Sequence, residues 1–172
     1  MPGLQRLRAD HAPAVLAFEL ANRAYFARFI SDRGDAFFEE FDQEHLDLLA
    51  AQEAGTCAFH VLVDDDGTVL GRFNLFDLQD ATAVLGYRVA EHLAGQGVAT
   101  ATVKELCELA STEYELRTLT AATPLDNVAS QRVLMKAGFV AVGPAQPGGQ
   151  PGTLYQLDMV EPGTSGMCPP EL

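Results

Sequence analysis

The sequence predicts an α/β (α+β) fold in which a mixed, mostly antiparallel central sheet of six to seven strands is flanked by about four helices. Three observations predict it. Two segments with helical spacing of apolar residues fill the first third of the chain, a meander of β-rich runs follows, and alternating helices and strands come last. With 172 residues and 48% hydrophobic content, the chain is long enough to bury the core of one domain.

The amino-terminal part begins with a short strand and continues into helices. Leu4–Arg8 is predicted as the opening strand. Apolar residues recur at helical spacing over Ala12–Phe29 and again over Phe37–Ala54, where acidic residues occupy the other face. Each of these two stretches is predicted to form one helix before the main sheet.

The middle of the chain reads as an antiparallel meander. Thr56–Val63 and Val69–Asp77 are rich in β-branched and aromatic residues, and the loop Asp64–Gly67 between them ends in an Asp-Gly pair that suits a tight hairpin. Ala81–Val89 is predicted as the third strand of this meander.

Helices and strands alternate in the last part of the chain. The turn Gly95–Gly97 opens a helix over Val98–Ser111, and a second helix, capped by Asp126 or Asn127, runs to Ala137. Residues 1–160 are predicted to be one domain, and the Pro/Gly-rich residues 161–172 a disordered tail. The remaining predicted strands, and the loop before the last of them, are Leu116–Thr123, Phe139–Val142, the loop Pro144–Gly152 and Thr153–Met159.

The charge balance bears on the class of partner. A formal net charge of −13 argues against the basic surface that a nucleic-acid backbone requires. An acidic protein attracts cationic substrates, although the same charge serves solubility without any partner. We therefore expect no nucleic-acid partner.

Apolar content and cysteine usage predict a cytoplasmic protein. No run reaches the eighteen or so apolar residues that span a bilayer, and the arginines near the start precede no apolar signal core. Cys57, Cys107 and Cys168 are odd in number and widely spaced, which suits neither a disulfide framework nor a zinc site. We expect reduced thiols, no membrane and no metal.

The segment Ala94–Thr100 is a candidate anion site. It lies between a predicted strand and a predicted helix, where first-turn amides lack partners within the helix. Gly95 and Gly97 allow close approach of the main chain to a phosphate, which the helix dipole also attracts. The segment lacks the spacing of the Rossmann fingerprint and the lysine of a P-loop. It is either a pyrophosphate site or a tight turn without a ligand.

Three stretches carry a family resemblance: Leu85–Val89, Ala94–Thr100, and the segment from Asn127 through Ser130 to Phe139. In order and spacing they resemble the GNAT superfamily of N-acetyltransferases, and within it the ribosomal-protein-alanine N-acetyltransferase (RimJ/RimL-like) branch. Leu4–Arg8 and Asn22–Phe26 are also similar to that branch, so the resemblance covers about residues 4 to 160.

The resemblance implies a sheet splayed into a cleft that holds acetyl-CoA, which would be a co-substrate. The Val89 backbone would pair with the pantetheine arm, and backbone amides of the turn would hold the pyrophosphate. Asn127 would hydrogen-bond the pantetheine, or act only as a helix cap, and Thr100 would contact the ligand or face solvent. The cofactor-binding residues implied are Val89, Ala94, Gly95, Gln96, Gly97, Val98, Ala99, Thr100 and Asn127.

The resemblance also implies a general acid. Many family members place a tyrosine late in the helix that follows the Asn, but this chain has Leu134 there. In the ribosomal-protein branch a serine three residues after the Asn is proposed instead, which corresponds to Ser130. The alternative for Ser130 is a first-turn hydroxyl that bonds only its own helix. A backbone NH at Val89 or its neighbour would stabilise the oxyanion.

No general base is evident, because Val84 stands where the branch often has a glutamate. An α-amine, with a pKa of about 7.7 to 8.0, needs a base less than a lysine at about 10.4. This favours a weakly basic acceptor. The residues that remain as possible proton relays through water are Asp77, Asp80, Glu91 and His92.

Tyr25, Arg28 and Tyr155 are predicted to contact the acceptor, whereas Phe26 fits core packing better. The predicted function is an acetyl-CoA-dependent N-acetyltransferase that acts on a primary amine, for example a protein N-terminal α-amine. The alternatives are an acetyltransferase of a small-molecule amine, such as an antibiotic or amino acid, and a non-catalytic acyl-CoA-binding sensor. We expect a monomer or a homodimer.

Overall fold

A computed structural model describes residues 1–159, which form a seven-stranded mixed sheet with helices on both faces. The strands are β1 (Gly3–Arg6), β2 (Ala58–Val63), β3 (Val69–Gln79), β4 (Thr82–Val89), β5 (Thr118–Pro124), β6 (Val140–Ala145) and β7 (Gly152–Asp158). The helices are α1 (Ala12–Ala21), α2 (Arg23–Phe26), α3 (Asp35–Glu39), α4 (Phe41–Glu53), α5 (Val98–Thr112) and α6 (Val128–Lys136). The predicted fold class is confirmed.

The sheet has the order β1-β2-β3-β4-β5-β7-β6, and β4–β5 is its one parallel pair among the described strands. That pair is short: Thr82–Val84 lies beside Thr118–Thr120. Beyond it β4 continues to Val89 paired only with β3, while β5 continues paired only with β7. The two strands therefore diverge, and a cleft opens between them.

The prediction of one helix over Ala12–Phe29 is wrong, because the chain breaks at Asn22. The backbone of Asn22 has φ −108° and ψ 8°, and its side-chain amide donates to the Phe18 carbonyl at 2.9 Å. Its Oδ1 accepts from the Glu91 amide at 3.0 Å. Asn side chains compete with helical backbone bonds in this way. The bond from Glu91 to Asn22 fixes the start of α2 to the segment that follows β4.

The prediction of one helix over Phe37–Ala54 is also wrong, since Glu40 separates α3 from α4. The axis of α4 is fixed by buried polar contacts. His45 Nε2 lies 2.9 Å from the Arg8 carbonyl, and the Gln52 amide donates to the Leu7 carbonyl and accepts from the Phe59 amide. Helix α3 buries no residue, and its Phe37 ring packs edge-on against Phe41 at the start of α4.

Two hydrophobic cores cover the two faces of the sheet. Helices α5 and α6 pack over one face, whose core includes Phe73, Leu106 and Leu134. The amino-terminal helices cover the other face, whose core includes Val15 and Phe41. Strand β2 is buried along its whole length, because alternate residues belong to each core.

A buried ionic cluster joins α1 to the centre of the sheet. Glu19 is 2% exposed, and its carboxylate accepts from Arg72 Nη1 at 2.7 Å and from Arg88 Nη1 at 3.0 Å. Arg72 and Arg88 are direct partners across β3 and β4. One carboxylate thereby fixes α1 relative to the strand that borders the cleft.

The predicted loop Pro144–Gly152 begins later than expected. Pro144 and Ala145 belong to β6 and pair with Thr153 and Gly152 of β7. β6 is an edge strand, so a proline without an NH is tolerated there. The predicted tail, residues 161–172, lies outside the described residues. Within residues 1–159 no helix is long and apolar enough to cross a membrane.

Candidate active site

Two chambers occupy the cleft between β4 and β5. The first chamber has a volume of about 430 Å³ and extends from the end of β4 to the start of α5. Its walls come from four segments, namely residues 25–30, residues 87–100, Asn127 and the inward face of α6. The polar, charged and glycine residues that line the first chamber, together with Val89 at the end of β4, are Tyr25, Tyr87, Arg88, Val89, Gly95, Gly97, Thr100, Asn127, Ser130, Arg132 and Lys136.

The turn before α5 forms one end of the first chamber. Gly95 and Gly97 have φ of +76° and +79°, a conformation that L side chains rarely adopt. Gly97 is the N-cap of α5, and no side chain caps this helix. The amides of its first turn therefore remain available to an anion, and the helix dipole attracts one.

Not every residue of the predicted pyrophosphate segment has its side chain at the chamber. Ala94, Gly95, Gly97, Ala99 and Thr100 line it. The Gln96 side chain instead donates back to the His92 carbonyl at 2.8 Å, and Val98 packs against the core. For these two residues only the backbone amide is left to contact a ligand.

Asn127 is the N-cap of α6 and also lines the first chamber. Its Oδ1 accepts from the Ser130 amide at 3.2 Å, so the cap role is filled. Cap and ligand roles are compatible, because the side-chain NH₂ is a separate donor.

Arg132 and Lys136 also line the first chamber, and sequence reasoning missed both. They are four residues apart and therefore share one face of α6. The signal was present in the sequence as two cations at helical spacing after Asn127 in a chain of net charge −13. Periodicity did not reveal which face turns toward the cleft.

Ser130 and Tyr87 form a hydroxyl pair in the cleft. Tyr87 Oη donates to Ser130 Oγ at 3.4 Å, and the Tyr87 ring stacks on Phe73 with centroids 5.7 Å apart. Burial raises the pKa of Tyr87, so the phenol stays protonated. The Ser130 hydroxyl bonds another element rather than its own helix, which argues against the purely local role. Tyr87 was part of the predicted strand but had been given no function.

A second chamber of about 390 Å³ adjoins the first. The two share five lining residues, which are Phe29, Ile30, Tyr87, Asn127 and Ser130. The other walls of the second chamber come from Ser31, β4 near Gly86, β5 with its end at Pro124, Leu134, and the loop from Pro147 to Gln150. None of its described lining residues is charged. The hydroxyl pair therefore stands where a charged and an uncharged chamber meet.

The predicted acceptor contacts lie at different depths. Tyr25 lines the first chamber and packs edge-on against Phe29 at 5.3 Å between centroids. Arg28 is exposed and lines neither chamber, and its guanidinium lies 4.0 Å from the Glu91 carboxylate. Tyr155 is 5% exposed and lines neither chamber, because β7 turns this ring into the core opposite Ala121 and Ala141.

No candidate base lines either chamber among the described residues. Asp77 lies near the end of β3 and Asp80 in the turn between β3 and β4, while Glu91 and His92 belong to the helical turn after β4. Val84, where a glutamate was expected, is half exposed on the face of β4 away from the α5 core.

The two described cysteines, Cys57 and Cys107, line neither chamber. Cys107 is buried, which raises the pKa of its thiol to about 12, and Cys57 is half-buried. Cys168 lies outside the described residues. Within residues 1–159 no group of three or more His, Cys, Asp or Glu side chains is placed to hold a metal ion.

Known proteins share both the sequence pattern and the fold. Residues 3–140 match the family model of the acetyltransferase (GNAT) domain. A curated relative, the probable N-acetyltransferase YjcK of Bacillus subtilis strain 168, is 28% identical over 148 residues, which cover 81% of each protein.

Two solved structures have closely similar folds. The ribosomal-protein-S5-alanine acetyltransferase of Vibrio fischeri has a TM-score of 0.83 at 21% identity, over 90% of this chain and 91% of that one. RimJ of Mycobacterium smegmatis, in complex with CoA-disulfide, has a TM-score of 0.82 at 21% identity, over 91% of this chain and 81% of that one. At such identities these likenesses establish the fold. Because the family model spans residues 3–140 of the 172, the chain belongs to the GNAT acetyltransferase family.

Proposed function

We propose that the protein transfers the acetyl group of acetyl-CoA to the α-amine at the N-terminus of a peptide or protein. The observation that carries this proposal is the meeting of two chambers of opposite character at one hydroxyl pair. The first chamber offers cations and free backbone donors, which suit a polyanionic acyl donor. The second chamber offers only neutral walls, which suit an acceptor without further charge near its amine.

The first chamber supports the donor role through backbone and charge together. Its turn presents first-turn amides to a pyrophosphate, while Arg132 and Lys136 add positive charge on α6. β4 has no strand partner on its β5 side beyond Val84, so the backbone groups of Leu85–Val89 that face the cleft are free to pair with a pantetheine arm. Asn127 adds a side-chain donor at the same place.

The proposed chemistry is direct transfer. The neutral amine attacks the thioester carbonyl carbon, a C–N bond forms, and the C–S bond breaks. A backbone NH at or beside Val89 stabilises the oxyanion. The nitrogen releases one proton to water, Ser130 gives its proton to the departing sulfur, and Ser130 regains one proton from water. Because Tyr87 donates to Ser130 Oγ, the Ser130 hydrogen is free to point at the sulfur, and Ser130 serves as the general acid.

The missing base supports an α-amine acceptor. An α-amine with a pKa of about 7.7 to 8.0 is partly neutral near pH 7, whereas an amine with a pKa of about 10.4 is almost entirely protonated. No described carboxylate or imidazole lines the second chamber to remove that proton or to hold a second ammonium group. Lysine side chains, polyamines and polycationic antibiotics are therefore poor acceptors.

A non-catalytic acyl-CoA sensor is the second candidate, because Leu134 and Val84 occupy positions where reactive groups are common in the family. Leu134 is fully buried and cannot donate a proton. The Tyr87–Ser130 pair favours the enzyme, since mere binding of the donor does not require paired hydroxyls between two chambers.

Thiol release from acetyl-CoA tests the proposal. The acceptors would be one short peptide with a free Ala α-amine, the same peptide with that amine blocked and one internal lysine, a free amino acid, and spermidine. We expect turnover with the free peptide and background rates with the others. Turnover of spermidine or of the blocked peptide would overturn the acceptor class. Tight acetyl-CoA binding without thiol release from any amine would support the sensor.

A further inference from the structure

Asn22 joins two walls of the first chamber through its side chain. The residue is 8% exposed, its side-chain NH₂ donates to the Phe18 carbonyl at 2.9 Å, and its Oδ1 accepts from the Glu91 amide at 3.0 Å. Its own carbonyl accepts from the Phe26 amide at 2.9 Å, at the N-cap of α2. One buried residue thus connects the end of α1, the start of α2 and the segment after β4.

Under the proposed function, the two walls that Asn22 joins serve different substrates. The roof segment, residues 25–30, contributes side chains to the first chamber and continues over the second, because Phe29 and Ile30 line both. The turn segment, residues 91–97, contributes the glycine turn at the other end of the first chamber. The roof segment therefore reaches the acceptor, whereas the turn segment holds the donor.

The hydrogen bond to Asn22 is the buried polar contact between these two walls. Among the described residues, the other hydrogen bonds of residues 91–96 stay within residues 90–96. The Arg28–Glu91 ion pair also joins the walls, but its atoms are 4.0 Å apart and both side chains are exposed, so solvent screens it. Leu93 packs against the α5-side core. The Asn22 bond is therefore the contact that fixes the turn segment relative to the roof segment.

We propose that Asn22 is a positioning residue, which holds the roof segment and the turn segment at the spacing that brings the acceptor amine to the thioester. The inference rests on the proposed function and deepens it, because it names a residue that aligns the two substrates. Transfer between two bound substrates depends on their mutual geometry, and a displacement of about 1 Å can lower the rate by as much as 100-fold. Asn22 itself lines neither chamber, so it acts through the walls that it joins.

Gln52 provides a matched control with the same chemistry at another place. It is also 8% exposed, its side-chain NH₂ donates to the Leu7 carbonyl at 3.0 Å, and its Oε1 accepts from the Phe59 amide at 2.9 Å. It lies on α4 and lines neither chamber. Loss of either side chain, Asn22 or Gln52, removes the partner of one backbone carbonyl and one backbone amide. The two alanine variants should therefore lose similar stability.

The test measures thiol release from acetyl-CoA by Asn22→Ala, Asn22→Asp and Gln52→Ala. We expect Asn22→Ala to lower kcat about tenfold and to keep the Kd for acetyl-CoA within about twofold of wild type, because the donor's own contacts remain. Gln52→Ala should keep kcat within about twofold of wild type at a similar loss of melting temperature. Asn22→Asp retains an oxygen for the Glu91 amide but not the NH₂ for Phe18, so its kcat should lie close to wild type. Asn22→Ser, whose hydroxyl is too short to replace Oδ1, should lower kcat and replaces the alanine variant if that does not fold.

Each of several results would overturn the inference. One is a kcat of Asn22→Ala or Asn22→Ser equal to that of wild type. Another is an equal loss of kcat in Gln52→Ala, which would attribute the effect to stability, or in Asn22→Asp, which would attribute it to the Phe18 bond. Failure of wild type on every peptide would overturn the proposed function itself, and the same comparison on another amine that wild type acetylates would still decide the role of Asn22. No thiol release by wild type with any amine would overturn both.

Discussion

The first and second chambers differ in what builds them. The first depends on backbone groups of two short segments, the end of β4 and the glycine turn, with side chains of α6 beside them. The second is assembled from side chains and small residues of five segments, namely residues 29–31, β4, β5, α6 with its N-cap, and the loop from Pro147 to Gln150. Backbone groups do not depend on side-chain identity, so a site built from them suits a ligand that many enzymes share. A site built from loops and side chains can differ from one enzyme to the next, which suits the choice of acceptor.

The two chambers also differ in charge. Arg88, Arg132 and Lys136 line the first chamber, and no described carboxylate does. The second chamber has no charged lining residue in the described chain. In a protein of net charge −13 this local excess of cations is a departure from the surface as a whole. Under the proposed function, this charge would direct an anionic donor to the first chamber, and the second chamber would select its ligand by size, shape and hydrogen bonding.

The largest effect is expected at Glu19, because its carboxylate joins α1 to Arg88, which lines the first chamber. Glu19→Ala leaves Arg72 and Arg88 buried without their carboxylate, and we expect it to lower the free energy of unfolding by about 3–5 kcal/mol. Urea denaturation would measure this. Glu39→Ala, an exposed control, should change little. Equal midpoints for the two variants would contradict the prediction.

A pH titration separates the stability of the core, which lies outside both chambers, from the activity proposed for the chambers. His60 lies in the α5-side core away from both chambers, and burial lowers its pKa to about 4. Above pH 6.5 the imidazole is neutral in both states. As the pH falls below that value, His60 binds a proton in the unfolded chain but stays neutral in the folded chain. The free energy of unfolding therefore decreases until the pH reaches about 4. The loss reaches at most about 3 kcal/mol.

Urea midpoints at pH 7 and pH 4.5 would measure this loss, with His60→Gln as the comparison because it removes the titrating group. The variant should lose less stability over that interval than wild type. Activity should behave differently and rise from pH 6.5 to 8 with the fraction of neutral α-amine. A stability profile in the variant that matches wild type would contradict the assignment to His60.

Substitutions of Ser130 and Tyr87 test the role of the hydroxyl pair that lies where the two chambers meet. Ser130→Ala should lower kcat about 100-fold, the lower end of the range for general acids, with acetyl-CoA binding unchanged. Tyr87→Phe should have a smaller effect in the same direction, because it removes only the donor to Ser130. Stopped-flow thiol release would measure both, with Ser111→Ala on α5 as the control. Unchanged kcat in Ser130→Ala would remove Ser130 from the mechanism.

The contrast between the chambers also explains what could be predicted from the sequence. The glycine turn, the N-cap at Asn127 and the seven strands follow from local patterns, because each depends on neighbouring residues. The second chamber depends on which strands diverge and on how the loop at Pro147 packs. Both depend on residues that are far apart in the sequence, so no local sequence pattern predicts them. Tyr155 shows the limit: alternation assigns it a face of β7, but only packing decides that this face is the core.

The breaks at Asn22 and Glu40 were missed for the same reason. Both stretches keep helical spacing, and only tertiary partners override it: the Glu91 amide for Asn22, and the contacts of His45 and Gln52 for α4. The break at Asn22 has a functional consequence. It places Tyr25 and Phe29 over the chambers, which one straight helix from Ala12 would not do.

The smallest expected effect concerns charge in the first chamber. Arg132→Ala and Lys136→Ala should each raise the KM for acetyl-CoA by about three- to tenfold at low salt, the effect of one charge-assisted contact. Because exposed charges are screened, the effect should shrink at 0.5 M NaCl. KM for the peptide should not move, since the second chamber contains neither residue.

Lys104→Ala on α5 removes the same charge from the protein without touching either chamber, so it separates local from overall electrostatics. If Lys104→Ala raised the donor KM as much as Lys136→Ala, the net charge of the protein would govern donor binding. The two chambers would then differ in shape alone. If only the α6 variants respond, and only toward acetyl-CoA, the charged chamber takes the donor and the uncharged one is left for the acceptor.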